Sequence, residues 1–209
     1  PLVNIDVLLG SGARADNPDQ AGTASFTANI MRRGGTERFP GNALDDTLDF
    51  LGAELSVTMQ TEVASANLNV LSEHLGTGLE ILADVLMYPA FPQEKIDELS
   101  RITIEDIRRR DDDPYQIGRR KFRQLVYGMD NPWARQLEIE EVERISRDAL
   151  VAFHSTWFRP NITSMAIAGD VDADEIVAAL EDAFAGWESA PVPDIAPTVP
   201  DAMDAGVYI

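Results

Sequence analysis

The chain has 209 residues, 44% of them hydrophobic and 25% charged, enough for one large domain or two small ones around a sizeable core. A formal net charge of -19 argues against nucleic acid and anionic membrane surfaces as partners, since both demand a basic face. There is no cysteine, which excludes disulfides, thiolate metal sites and cysteine nucleophiles, and no apolar run is long enough for a membrane-spanning helix.

Val3, Ile5, Val7 and Leu9 alternate with Leu2, Asn4, Asp6 and Leu8, the period of a strand. The chain starts on that pattern at Pro1 and reads as an excised piece. A loop, GSGARADNPDQAG, leads into AGTASFTANIMRRGGT (residues 21–36), an amphipathic helix carrying Phe26, Ile30 and Met31 and closed by a Gly-Gly-Thr turn. GNALDDTLDFLGA predicts a second helix, stopped at Gly52. Alternation then returns, as Leu55, Val57 and Met59 and as Ala64, Ala66, Leu68 and Val70, and predicts a pair of adjacent strands. The strand with Ser65, Asn67 and Asn69, or its neighbour near residues 58–61, is expected to offer a sheet edge to an extended peptide.

Leu75, Leu79, Leu82 and Leu86 form the buried stripe of a helix stopped by Pro89. FPQEKIDELSRITIEDIRRRDDDP and PYQIGRRKFRQLVYG predict two more helices, and MDNPWARQLEIEE a loop. Ser146 caps a helix striped by Leu150, Phe153 and Trp157, and ITSMAIAGD is a short strand. Asp172 and Glu175 form a capping-box pattern for a last helix ending near FAGW. The Pro-rich tract SAPVPDIAPTVPDA reads as a linker, and GVYI as the start of another strand. Strands followed by clustered helices indicate α+β: a largely antiparallel sheet with helices on one face. Residues 1–190 are expected to make the domain, and 191–209 the linker and the start of a following domain, which the resemblance given below implies to be homologous.

Few residues offer chemistry. Glu98 and Glu105 stand two helical turns apart on one helix face, where paired carboxylates bind metal, act as acid and base, or only face solvent. RRRDDDP places arginines where they complement a helix C-terminus. The only histidines, His74 and His154, lack evident partners, and no serine sits in a nucleophile elbow.

In their order these segments resemble the pitrilysin/insulinase-type metallopeptidases, the inverzincins, and especially their compact processing-peptidase-like branch. The resemblance rests on LLGSGARAD with AGTASFTANIMRRGGT, on LDFLGAELSVTMQTEVASANLNVL, and on ISRDALVAFHSTWFRPNITSMAIAGDVDADE. In active relatives the helix carries H-x-x-E-H, two histidines for zinc and a glutamate that activates water. Aligned on that helix, the motif falls on Ser25, Ala28 and Asn29. The downstream ligand falls on Glu105, since 105 minus 29 is 76, about the family's interval, and the supporting carboxylate on Glu98. The resemblance thus implies a degenerate member that retains the distal carboxylates and holds no metal or other cofactor of its own, zinc belonging to the active relatives. It further implies a non-catalytic, peptide-binding, chamber-forming half or subunit of a zinc peptidase. The partner would be a catalytic H-x-x-E-H paralogue or a second half of the same chain, where an Arg/Tyr pair would sit. Two alternatives stay open: a structural scaffold subunit like respiratory-complex core proteins, and a hydrolase with a relocated site. The compartment is equally open between bacterial periplasm and cytoplasm.

Overall fold

The computed structural model describes residues 1–195. The strand expected at GVYI and the linker beyond Ile195 lie outside the described residues. Residues 188–195 form neither helix nor strand, although Val192 and Ile195 rest against the core.

Four antiparallel strands make one sheet in the order β2-β3-β1-β4, with β1 Leu2–Leu9, β2 Glu54–Met59, β3 Ala64–Leu71 and β4 Thr163–Gly169. The period-two pattern divides its faces. Val3, Ile5, Val7 and Leu9 of β1 and Ala64, Ala66, Leu68 and Val70 of β3 are buried, and in register Ile5 lies beside Leu68 and Ile167. The other face carries Asn4, Asp6, Ser56, Thr58, Ser65, Asn67 and Asn69 and stays open. Among the described residues the helices therefore cover one face only, as the α+β reading requires.

Among the described residues there are eight α-helices: α1 Thr23–Arg33, α2 Ala43–Leu51, α3 Leu75–Met87, α4 Gln93–Arg109, α5 Pro114–Tyr127, α6 Ile139–Val142, α7 Arg147–Trp157 and α8 Ala173–Ala183. Gly52 ends α2 at φ 59°, the left-handed conformation that glycine adopts without strain. Ser146 Oγ accepts the Ala149 N–H at 3.2 Å, and Asp172 accepts the N–H groups of Asp174 and Glu175. The stretch read as a loop before α7 contains a reciprocal capping box instead. Glu138 N donates to Glu141 Oε2 at 2.8 Å, the Glu138 side chain takes the N–H in return, and α6 winds between them. Sequence reading overlooked it because the cap residue is a glutamate, outside the usual Ser/Thr/Asp/Asn set.

Of the two strands expected to offer a sheet edge, the structure selects one. β3 lies between β1 and β2, so the strand of Ser65, Asn67 and Asn69 offers no edge. The edge belongs to its neighbour β2. Alternation gives the same pattern for interior and edge strands, and only the return of β1 to pair with β3 decides between them.

Candidate functional site

Helix α1 is anchored before it begins. Gly22 precedes α1 in a left-handed conformation and supplies no side-chain cap. Asp16 does this work from the preceding loop: its two oxygens accept the N–H groups of Gly22 at 2.8 Å and Ala24 at 2.7 Å. The residue is only 8% exposed, and burial pushes its pKa up to about 6 against the lowering effect of those two bonds. Asp16 was not singled out from the sequence. DNPDQAG reads as an ordinary polar turn, and the cap is six residues distant from the helix terminus it serves.

From this anchor α1 runs against β2, α4 and α7. Ser25 is half-buried, Ala28 fully buried and Asn29 exposed, and the Asn29 amide folds back to donate to Ser25 O at 2.9 Å. On α4, Glu98 and Glu105 are both exposed. Each sits beside a cation of its own helix, Lys95 Nζ at 3.5 Å and Arg108 Nη1 at 3.7 Å. Such exposed i,i+3 pairs contribute on the order of a few tenths of a kcal/mol. Among the described residues no group of three or more His, Cys, Asp or Glu side chains is disposed to hold a metal ion. Zinc, which the resemblance implies for active relatives, does not fit this donor set. The positions that the resemblance aligns with two imidazoles and a base carry a hydroxyl, a methyl and an amide, and hydroxyl and amide oxygens are weak zinc ligands.

The histidines do not supply what is missing. His154 Nε2 donates to Leu86 O at 2.8 Å, its ring stacked on Phe158 and edge-on to Phe91. Burial among these groups lowers its pKa and keeps the imidazole neutral. His74 stands at the N-terminus of α3.

Two other features flank α1. At the β2 edge, Arg32 donates through Nε to Leu55 O at 2.8 Å and through Nη1 to Asp45 Oδ1 at 2.6 Å. Because Leu55 turns its carbonyl away from β3, ladder alternation turns the backbone groups of Val57 and Met59 to the same free edge. Beside it is a groove of about 360 Å³ lined by Asp49, Glu54, Leu55 and Ser56 among others. On the open sheet face, Asn67 Nδ2 donates to Asn4 Oδ1 at 2.7 Å and Asp6 Oδ1 at 2.6 Å, Asn69 donates to Asn67 at 2.9 Å, and Thr58 and Ser65 share a hydrogen bond of 2.8 Å. The result is a flat surface of short polar groups tied to one another.

The described residues thus make an antiparallel sheet with α1 packed against its edge strand β2, and that helix carries no metal-ligand set. The family model for insulinase (peptidase family M16) matches residues 1–131, and that for the peptidase M16 inactive domain matches residues 144–206. The chain belongs to the insulinase family, peptidase family M16. It is 28% identical over 197 residues to an uncharacterized zinc protease of Mycobacterium leprae, covering 90% of this chain and 43% of that protein. It is 21% identical over 211 residues to cytochrome b-c1 complex subunit 1, mitochondrial, of Bos taurus, covering all of this chain and 44% of that one. The solved peptidase M16 inactive domain of Pseudomonas fluorescens superposes with a TM-score of 0.87 at 19% identity, over 97% of this chain and 50% of that one. The chain thus spans about half the length of the relatives it matches.

Proposed function

We propose that this chain is a non-catalytic half or subunit that helps enclose and hold a peptide in a zinc metallopeptidase of the insulinase family. The single observation that carries the proposal is the content of α1: Ser25, Ala28 and Asn29 stand at the positions aligned with H-x-x-E-H. Without an imidazole pair there is no metal to polarise water, and without a carboxylate at position 28 there is no base to deprotonate it. Catalysis then falls to an H-x-x-E-H partner, either a paralogue or a second half of the same protein. The half-length matches support such pairing. What this chain keeps is the means to hold an extended peptide: the free edge of β2, where Val57 and Met59 offer backbone groups, and the open polar sheet face beside it. Main-chain pairing at an edge tolerates diverse sequences.

Zinc binding tests the alignment. The chain as it stands should hold no stoichiometric zinc after dialysis at neutral pH, and a firmly bound ion would overturn the proposal. In the double variant Ser25→His/Asn29→His, two imidazoles one turn apart should create zinc affinity that Glu105 completes. Affinity should then fall about tenfold when Glu105→Gln is added, the usual scale for a ligand-set change. A double variant that folds without binding zinc, or ignores position 105, would show that the dead site is misplaced. Ala28→Glu is best added last, because Ala28 is 0% exposed and a carboxylate there is desolvated until metal compensates it.

A second reading is a purely structural scaffold subunit, favoured by the likeness to the bovine cytochrome b-c1 complex subunit. Co-purification separates the two: an H-x-x-E-H paralogue accompanies the chain in the first case, membrane redox subunits in the second.

A further inference from the structure

A cluster of arginines on this acidic chain lies away from α1. Where α4 ends and α5 runs back, Arg110, Arg119, Arg120 and Arg123 line one cavity of about 310 Å³ together with Gln116 and Gln136. Convergence of four guanidinium groups is electrostatically costly unless each is neutralised. Two are. Arg110 makes a bidentate pair with Glu138 at 2.9 and 2.7 Å and also donates to Leu137 O at 3.1 Å, while Arg120 pairs with Asp111. The other carboxylates of that corner are engaged elsewhere, Asp112 by Arg109 at 3.6 Å and Asp113 by the N-terminus of α5 through Tyr115 N at 2.9 Å. Among the described residues, the Arg119 and Arg123 side chains have neither a carboxylate within 4.0 Å nor a hydrogen-bond partner. They stand four residues apart, one turn, on the same face of α5.

We infer that this cavity is a binding site for a small phosphate-type polyanion. Two unbalanced guanidinium groups match the charge of one phosphate dianion, and their planar forks suit its oxygens better than an ammonium would. The paired arginines are held in place by Glu138 and Asp111, so part of the ordering cost is met before a ligand arrives. Gln116 and Gln136 add amide donors at the wall. The lining has no aromatic ring on which a base could stack, so recognition rests on the phosphate groups themselves. The site does not depend on the peptidase reading, and its readout is binding alone.

Isothermal titration of the chain with sodium tripolyphosphate, and separately with inorganic phosphate, tests the inference at low ionic strength. Tripolyphosphate should bind with one-to-one stoichiometry and more tightly than phosphate, and should weaken as salt is raised. Arg119→Gln/Arg123→Gln should weaken it about tenfold or more, whereas Lys121→Gln, an exposed cation of α5 outside the cavity, should leave it nearly unchanged. Because α5 buries no side chain fully, the double variant should keep the circular dichroism and melting temperature of the parent. The single variant Arg119→Gln, at an exposed position, provides the same comparison if the pair unfolds. Absence of saturable binding, equal loss from Lys121→Gln, or succinate binding as tightly as tripolyphosphate would each overturn the assignment.

Discussion

Replacing Asp16 by Asn should change how stability depends on pH, with a sign opposite to that of most native carboxylates. The folded pKa is raised from the model-compound value of 3.8 to about 6, so between those values the folded chain binds more protons than the unfolded one. The contribution is therefore fully present below the unfolded pKa and is lost as pH rises through about 6. One pKa unit is worth about 1.4 kcal/mol. The full difference approaches about 3 kcal/mol, and about 1.4 kcal/mol of it falls between pH 8 and pH 5. That interval avoids the isoelectric region near 4.3, where the chain would lose solubility. The assay is urea unfolding followed by the fluorescence of Trp133, Trp157 and Trp187 at several pH values in wild type and Asp16→Asn. Asn keeps a carbonyl that can accept one of the two α1 N–H groups, so the variant should fold while losing about 1–3 kcal/mol for the bond it cannot replace. The difference between wild type and variant should grow as pH falls from 8 to 5. Parallel pH profiles, or a difference that shrinks on acidification, would refute the account of Asp16 as a buried carboxyl group anchoring α1.

His154 should act in the opposite direction. Its folded pKa is lowered from 6.5 by burial, so its contribution is present above that value and lost as pH falls below it. His154→Phe should remove this loss, seen as a stability difference from wild type that varies between pH 7.5 and 5.5; a constant difference would mean that the ring titrates normally. On α2, Leu48→Ala should cost about 2–5 kcal/mol because Leu48 is 2% exposed, whereas Phe50→Ala, at 85% exposed, should stay within about 0.5 kcal/mol. Chemical denaturation of both variants measures the contrast. Comparable losses would mean that α2 is packed in another orientation.

Most of the elements were legible because burial imposes a period. Leu79, Leu82 and Leu86 repeat at helical spacing and are buried, and β1 alternates and buries every second residue. Caps at Ser146 and Asp172 were equally readable, since a side-chain acceptor beside its own helix is a local device. The candidate site was legible only in part. Positions 25, 28 and 29 share one short helix, and only the family resemblance gives them a place in the candidate site. The partners of Glu98 and Glu105 cannot be stated from spacing, because the same carboxylates could face a metal, a substrate or, as found, Lys95 and Arg108 of their own helix.

By itself, the sequence determined most of the helices and strands, the membership of a family and the absence of imidazole and carboxylate from α1, all of which depend on residues close together in the chain. Only the tertiary structure decided which strand forms the edge, which loop carboxylate anchors α1 and which arginines share a cavity. Arg110 meets Glu138 across 28 residues, Asp16 reaches past its own loop to Ala24, and β1 pairs with β3 across 55 to 69 residues. Local spacing carries no record of such contacts, because the chain's path between them is set by burying the whole apolar face at once.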